Sequence, residues 1–199
     1  PCPRVTIIGN TSWGNTLAAL LSSRGAAVKL WTRSEAEAEE LNQGGRSYFS
    51  TSQIGEALSG ADLAIWVVPS QRLRENVGQA RDYLSSSMLL MSAAKGLEVD
   101  SGKRMSQVLA EEIAPSLRGR ICVLSGPNLA GEIARGLPAG SVIAAEDIAL
   151  AERARKLMES PRFVLSASDD VVGVELGGAL KNIIALGAGM IDGLGLGDN

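Results

Sequence analysis

Histidine is absent from this 199-residue chain. Acid–base chemistry near neutral pH therefore falls to Lys, Asp, Glu, Tyr or Cys. Cysteine is scarce as well. Cys2 and Cys122 form no metal-ligand spacing, so no metal site is expected and each reads as a free thiol of a reducing cytosol. Aromatics make up only 4% of the chain, too few for the stacking platforms of single-strand nucleic-acid binding. A basic excess is lacking too: 19 Lys and Arg against 22 Asp and Glu leave a net charge of −3. That balance argues against a nucleic acid or a polybasic membrane contact as partner. No secretory signal opens the chain, because Pro1-Cys2-Pro3-Arg4 runs straight into an apolar run, and a start without Met reads as processed or trimmed. The expected location is the cytoplasm.

What is present is an ordinary globular composition, 45% apolar and 21% charged, in a chain long enough to bury a core. Short apolar runs predict strands at 4–8, 27–31, 62–68, 88–93, 120–124, 141–145 and 162–165. Amphipathic segments lie between them. One begins near Trp13, carries Trp13, Leu17, Leu20 and Leu21 on one face and stops at Gly25. A second follows Ser34, whose partner Glu37 suits a capping box. Others cover about 70–83, 103–114, 128–135 and 147–158. The alternation predicts an α/β fold, a doubly wound Rossmann-like sheet with right-handed crossovers. The polar stretch 43–52 reads as a loop without a strong strand. From Val171 the chain turns apolar and glycine-rich, which predicts a long helix opening a second, truncated α-helical domain. The expected division is 1–168 and 169–199. Residues 171–196 are long enough to span a bilayer, but Lys181 would sit near its centre with Glu175 and Asp192 inside. Each central charge costs about 2.5–3.5 kcal/mol on insertion scales, so membrane insertion is not expected.

The first strand-to-helix turn, in "VTIIGNTSWGNTLA" (5–18), resembles G-x-G-x-x-G with its middle glycine replaced. Gly9 permits the sharp turn, and Gly14 lets the helix pack closely on the strand. The exposed N–H groups of the helix start suit a pyrophosphate. Thr11 stands where backbone normally approaches that group, and its hydroxyl is a candidate phosphate donor. Taken alone, the stretch fits either a variant nucleotide site or a plain turn. Strand two ends in Trp31-Thr32-Arg33 rather than in an acidic residue. The Arg33 guanidinium suits a 2′-phosphate, which favours NADP over NAD; a solvated surface arginine is the alternative.

Three further stretches follow in order: "SAAKGLE" (92–98), "LSGPNLAGEIARGLP" (124–138) and "VELGGALKNIIALGAGMIDGLGLGDN" (174–199). With "GNTSWGNTLA" they resemble the NAD(P)-dependent glycerol-3-phosphate dehydrogenases over nearly the whole chain. Lys95 follows a buried strand at the carboxyl edge of the sheet, where ligands of such folds bind. Pro127 suits the first turn of a helix. Lys181 lies mid-helix among Ala179, Leu180, Ile183 and Ile184, and Gly177, Gly178, Gly187 and Gly189 share that helix. Each helical glycine costs about 1 kcal/mol relative to alanine, so close backbone approach is expected there. A lysine buried among apolar groups has its pKa drawn down, which suits acid–base work.

The resemblance implies reversible NAD(P)H-dependent reduction of dihydroxyacetone phosphate to sn-glycerol 3-phosphate, feeding glycerophospholipid synthesis. It implies that Lys181 is the catalytic acid–base and that Lys95 stabilises charge while touching cofactor and substrate. Gly126 and Asn128 would contact substrate, with Asn182 orienting substrate or lysine. The cofactor would meet Gly9, Asn10, Thr11, Ser12, Trp13 and Gly14 at the turn, with Arg33, Pro69, Lys95 and Ala130 around it. Asn128 is a variant, since bacterial relatives usually carry Ser or Thr there. Family members continue into a helical domain supplying an Asp and an Arg-Asn pair. They also carry, in place of 43–52, a longer segment that reaches the cofactor with an aromatic residue, for which Tyr48 and Phe49 are the candidates. A homodimer is expected of the full-length form. Two other readings stay open: a catalytically inactive NADP-binding module, and another β-hydroxyacid-type dehydrogenase.

Overall fold

The computed structural model describes residues 2–197. Asp198 and Asn199 of the last motif lie outside the described residues. The first half of the sheet is built from β1 (Arg4–Ile8), β2 (Ala27–Trp31), β3 (Phe49–Thr51) and β4 (Leu63–Trp66). The second half is built from β5 (Leu89–Ser92), β6 (Ile121–Ser125), β7 (Ala139–Ala144) and β8 (Phe163–Ser168). The spatial order is β3-β2-β1-β4-β5-β6-β7-β8. The first six strands are parallel, β7 runs antiparallel to β6, and β8 is parallel to β7.

The helices are α1 (Ser12–Ser23), α2 (Glu35–Gln43), α3 (Ile54–Leu58) and α4 (Leu73–Ala80), then α5 (Met105–Glu112), α6 (Ala130–Ala134), α7 (Ile148–Met158) and α8 (Val171–Leu194). Successive strand residues feed opposite faces, as the pleat requires. Val5, Ile7, Leu63, Ile65, Leu89 and Met91 face a core closed by α1 and α7. Ile8, Ala64, Trp66 and Leu90 face a second core, closed by α4 and α5. Both faces of the central strands are therefore dry, which is why their sequences are continuous apolar runs rather than alternating ones. Cys122 lies in the first core, and burial pushes its thiol up to about 12, so it has no thiolate chemistry at neutral pH. Cys2 is free and exposed.

Three expectations change. The stretch 43–52 contains a strand: β3 pairs with β2, Phe49 opposite Lys29 and Thr51 opposite Trp31. Its three residues include Ser50 and Thr51, buried but polar, so apolar patterning cannot reveal it. The helix expected over 70–83 is one α-helical stretch between two 3₁₀ turns. Between β6 and β7 the sheet also breaks its parallel winding. The Pro127 signal fails, since α6 begins only at Ala130 with Leu129 as its cap; two others hold. Ser34 Oγ accepts from the Glu37 N–H at 3.3 Å, and Gly25 takes φ +85° after α1.

Candidate functional site

Strand order reverses at β1, whose neighbours β2 and β4 connect to opposite sides of the sheet. In such sheets the carboxyl ends at the reversal open a crevice. Gly9 leaves β1 there with φ +124°, and a Cβ on it would stand 2.6 Å from the Val67 carbonyl oxygen. A Cβ on Gly14 would strike the Gly9 carbonyl. The two outer glycines are thus demanded by backbone contact.

Thr11 has a different part from the one its sequence position suggests. It is the N-cap of α1: its Oγ1 accepts from the Gly14 N–H at 2.9 Å and donates to the Val67 carbonyl at 3.0 Å. The one hydroxyl proton is spent on Val67, so the hydroxyl is not a free phosphate donor. The donors left are backbone N–H groups in the first turn, at Ser12 and Trp13, which have no intrahelical partner by geometry. The Trp13 ring turns away and meets Phe163 edge-on, with centroids 6.1 Å apart and planes at 66°.

A cleft of about 300 Å³ lies over this turn. Gly9, Asn10 and Thr11 line it together with Arg33 from the end of β2 and Pro69 from the end of β4. Arg72, Asn76 and Gln79 extend the wall and escaped sequence reasoning. They lie on the 3₁₀ turn and helix just past Pro69, where an amphipathic pattern accounts for them without a ligand. Arg72 is paired with Glu75 at 3.0 Å. A larger groove of about 750 Å³ runs along the amino ends of β1 and β2. Two of its cations are already engaged, Arg4 by Asp62 and Lys29 by the Glu56 carbonyl.

The second part of the site sits at the carboxyl ends of β5 and β6. Lys95 Nζ donates to the Gly126 carbonyl at 2.5 Å, joining two of the sequence motifs. Lys95 is half-buried, and its pKa lies below the usual lysine range, first through burial and then through the Lys181 charge. The loop after it is pinned. Gln71 donates to the Leu97 carbonyl at 2.8 Å and accepts from the Val99 N–H at 3.0 Å. Arg74 holds Glu98 at 2.8 Å and pairs with Glu111 and Glu112, while Ser101 also donates to Glu98; the Glu98 carboxyl is held down at about 2. Asn128 Oδ1 accepts from Ser141 Oγ, which leaves Asn128 Nδ2 buried without a partner. Such orphan donors are uncommon in folded proteins.

Helix α8 brings Lys181 to this group, and Glu175 fixes how. Its side chain is 7% exposed and forms a pair with Arg104 Nη1 at 2.5 Å. It also accepts from the Ser106 N–H at 2.8 Å and from Ser106 Oγ at 2.6 Å, closing the first turn of α5. One turn on, Gly178 abuts Ser125 Oγ, with Lys95 Cγ at 3.8 Å from where a Cβ would be. Glu175 lay within the last motif, but nothing in its spacing points to a partner at 104–106.

The structure corrects the expected dryness of Lys181. It is half-buried, and its neighbours Ile183 and Ile184 are 67% and 69% exposed. Close approach explains Gly178 alone; Gly177, Gly187 and Gly189 face open space. Asn182 is exposed. Ala130 lies over α1, its carbonyl near Thr16 Oγ1 at 3.4 Å. Neither candidate aromatic reaches the cleft: Phe49 is 47% exposed in the groove at the amino ends of β1 and β2, and Tyr48 is buried beneath the turn.

A glycine cradle that a Cβ would fill, a free helix start and a cleft at the strand-order reversal together define a dinucleotide-binding domain. The family model described as "NAD-dependent glycerol-3-phosphate dehydrogenase N-terminus" matches residues 4–151, and the corresponding "C-terminus" model matches residues 170–199. The chain belongs to the NAD-dependent glycerol-3-phosphate dehydrogenase family. It is 49% identical to a glycerol-3-phosphate dehydrogenase [NAD(P)+] of Dehalococcoides mccartyi, over 98% of this chain and 58% of that protein. It is 43% identical to one of Syntrophomonas wolfei, over 99% of this chain and 61% of that one. The crystal structure of glycerol-3-phosphate dehydrogenase from Coxiella burnetii superimposes with a TM-score of 0.85 at 28% identity, covering 100% of this chain and 63% of that one. The chain thus spans about three fifths of the length of these relatives.

Two outcomes test the geometry. Gly9→Ala should lower stability by more than about 1 kcal/mol in urea unfolding, since it combines a positive φ with a backbone collision. Lys181→Gln should raise the Lys95 pKa without restoring the ordinary lysine value, because burial, the larger cause, remains; NMR titration of the Lys95 side chain measures it.

Proposed function

We propose that this chain is the nucleotide-binding portion of an NAD(P)-dependent glycerol-3-phosphate dehydrogenase, interconverting dihydroxyacetone phosphate and sn-glycerol 3-phosphate. The observation that carries the reading is Lys95, held by the Gly126 carbonyl and within the field of the Lys181 charge, at the same sheet edge as the cleft over Gly9. The nicotinamide, when bound, supplies or accepts the hydride. The backbone N–H groups of Ser12 and Trp13 hold the pyrophosphate, with Asn10 beside them. Arg33 at the rim favours NADP, with NAD as the alternative. Lys181 gives a proton to the substrate oxygen in reduction and takes it back in oxidation. Lys95, aimed by the Gly126 carbonyl, stabilises the charge growing on that oxygen, and Asn128 Nδ2 offers it or its neighbour a donor.

The division at Ser168 and Asp169, a cytoplasmic setting and a homodimer in the full-length form belong to the same proposal. By length and composition α8 passes for a membrane span, with a mean hydropathy of 1.4. We read it instead as a helix that packs on protein, because Glu175 and Gly178 dock it on the sheet side. The 199 residues alone are expected to bind the nucleotide weakly and turn over little, since the face of α8 beside Lys181 is open to water.

In a chain of the relatives' full length built on this sequence, Lys181→Ala should lower the rate of dihydroxyacetone phosphate reduction by about 10²–10⁴-fold. NADPH affinity should stay nearly unchanged. A rate close to wild type in a steady-state assay would assign the acid–base role to another residue.

A further inference from the structure

Beneath the phosphate turn lies a chain of polar side chains that the proposed chemistry does not use. Tyr48 is buried at 6% exposure, directly before β3. Its hydroxyl donates to Asn15 Oδ1 at 2.6 Å. Asn15 Nδ2 in turn donates to Asn10 Oδ1 at 2.8 Å and to the Thr11 carbonyl at 2.9 Å. The Arg46 guanidinium lies close to the Tyr48 hydroxyl. These groups fix the direction of every bond. A guanidinium has donors only, so it engages the hydroxyl oxygen and leaves the proton for Asn15. Burial, the larger influence, pushes the Tyr48 pKa up despite Arg46, so the hydroxyl keeps that proton at neutral pH. Asn15 must then present its oxygen to Tyr48 and its NH₂ to Asn10. Asn10, which lines the cleft, is left with its oxygen turned inward and both amide N–H donors uncommitted.

We infer that Tyr48 is a positioning residue for the dinucleotide pyrophosphate, acting through Asn15 to hold the Asn10 carboxamide with its NH₂ toward the anion. The inference rests on the cofactor reading above and adds to it a donor outside the helix start. It also gives a role to the short 43–52 segment: the aromatic residue there supports the turn from below instead of covering the cofactor. An amide able to rotate freely would offer its oxygen to the phosphate as readily as its NH₂, and the oxygen repels. The relay removes that choice.

The test is a fluorescence titration of the 199-residue chain with NADPH and with NADH, using Tyr48→Phe, Asn10→Ala and the double variant. For the nucleotide that wild type binds more tightly, Tyr48→Phe should raise Kd by about five- to tenfold. Its melting temperature should move by no more than about 4 °C. In the double variant Tyr48→Phe should add nothing to Asn10→Ala, because the residue through which it acts is gone. Additive losses, or a Tyr48→Phe variant that binds as wild type does, overturn the inference and leave the cofactor reading intact. A wild-type chain that binds neither nucleotide overturns both.

Discussion

The geometry of the candidate centre depends on where the first half of α8 is pinned. Glu175 ties the helix to Arg104 and Ser106, and Gly178 lets it press on Ser125. These contacts set both the rotation and the height of the helix, and Lys181 follows as a matter of helical period. A carboxylate at 7% exposure would be costly if unpaired. Here it is offset by a guanidinium, a hydroxyl and the N-terminus of α5. Among the described residues the second half of the helix has no such anchor: Ile183, Ile184, Leu186 and Met190 all face outward.

The phosphate turn shows how a departure from G-x-G-x-x-G can be absorbed. A Cβ at the two outer positions would collide with backbone, so Gly9 and Gly14 are retained. The middle position has become a cap. Thr11 satisfies the Gly14 N–H and stitches the turn to Val67 on the next strand, two bonds that a glycine could not make. Caps of this kind are worth about 1 kcal/mol. The turn is therefore stiffer, while the donors it leaves uncommitted are backbone N–H groups and the Asn10 amide.

Most of the sheet was legible because its physics is local. Strands dry on both faces must be apolar throughout, and β1 and β2 fall on the expected residues 4–8 and 27–31. The second and third motifs meet because both follow strand ends at one edge of the sheet, where Lys95 reaches the Gly126 carbonyl. What escaped detection depends on tertiary partners. β3 is three residues long and polar, held by pairing with β2. The Glu175 contact spans 69 residues to Ser106, and the Tyr48 contact spans 33 to Asn15. Neither separation leaves a periodic trace. The dryness expected of Lys181 failed for a related reason: apolar neighbours in sequence do not fix burial unless another element covers them.

The two lysines then raise a question of charge. Like charges held near one another disfavour the protonated forms, and Lys95 responds with a lowered pKa. The nearby acids cannot relieve this. Glu175 is committed to Arg104, and Glu98 to Arg74 and Ser101. Lys95 finds a neutral carbonyl instead. Surface lysines usually find a carboxylate or water, so a lysine held by a carbonyl beside a second lysine is a local conflict of the kind that folds retain at functional sites. An anionic or polarised oxygen placed between the two amines would resolve that conflict.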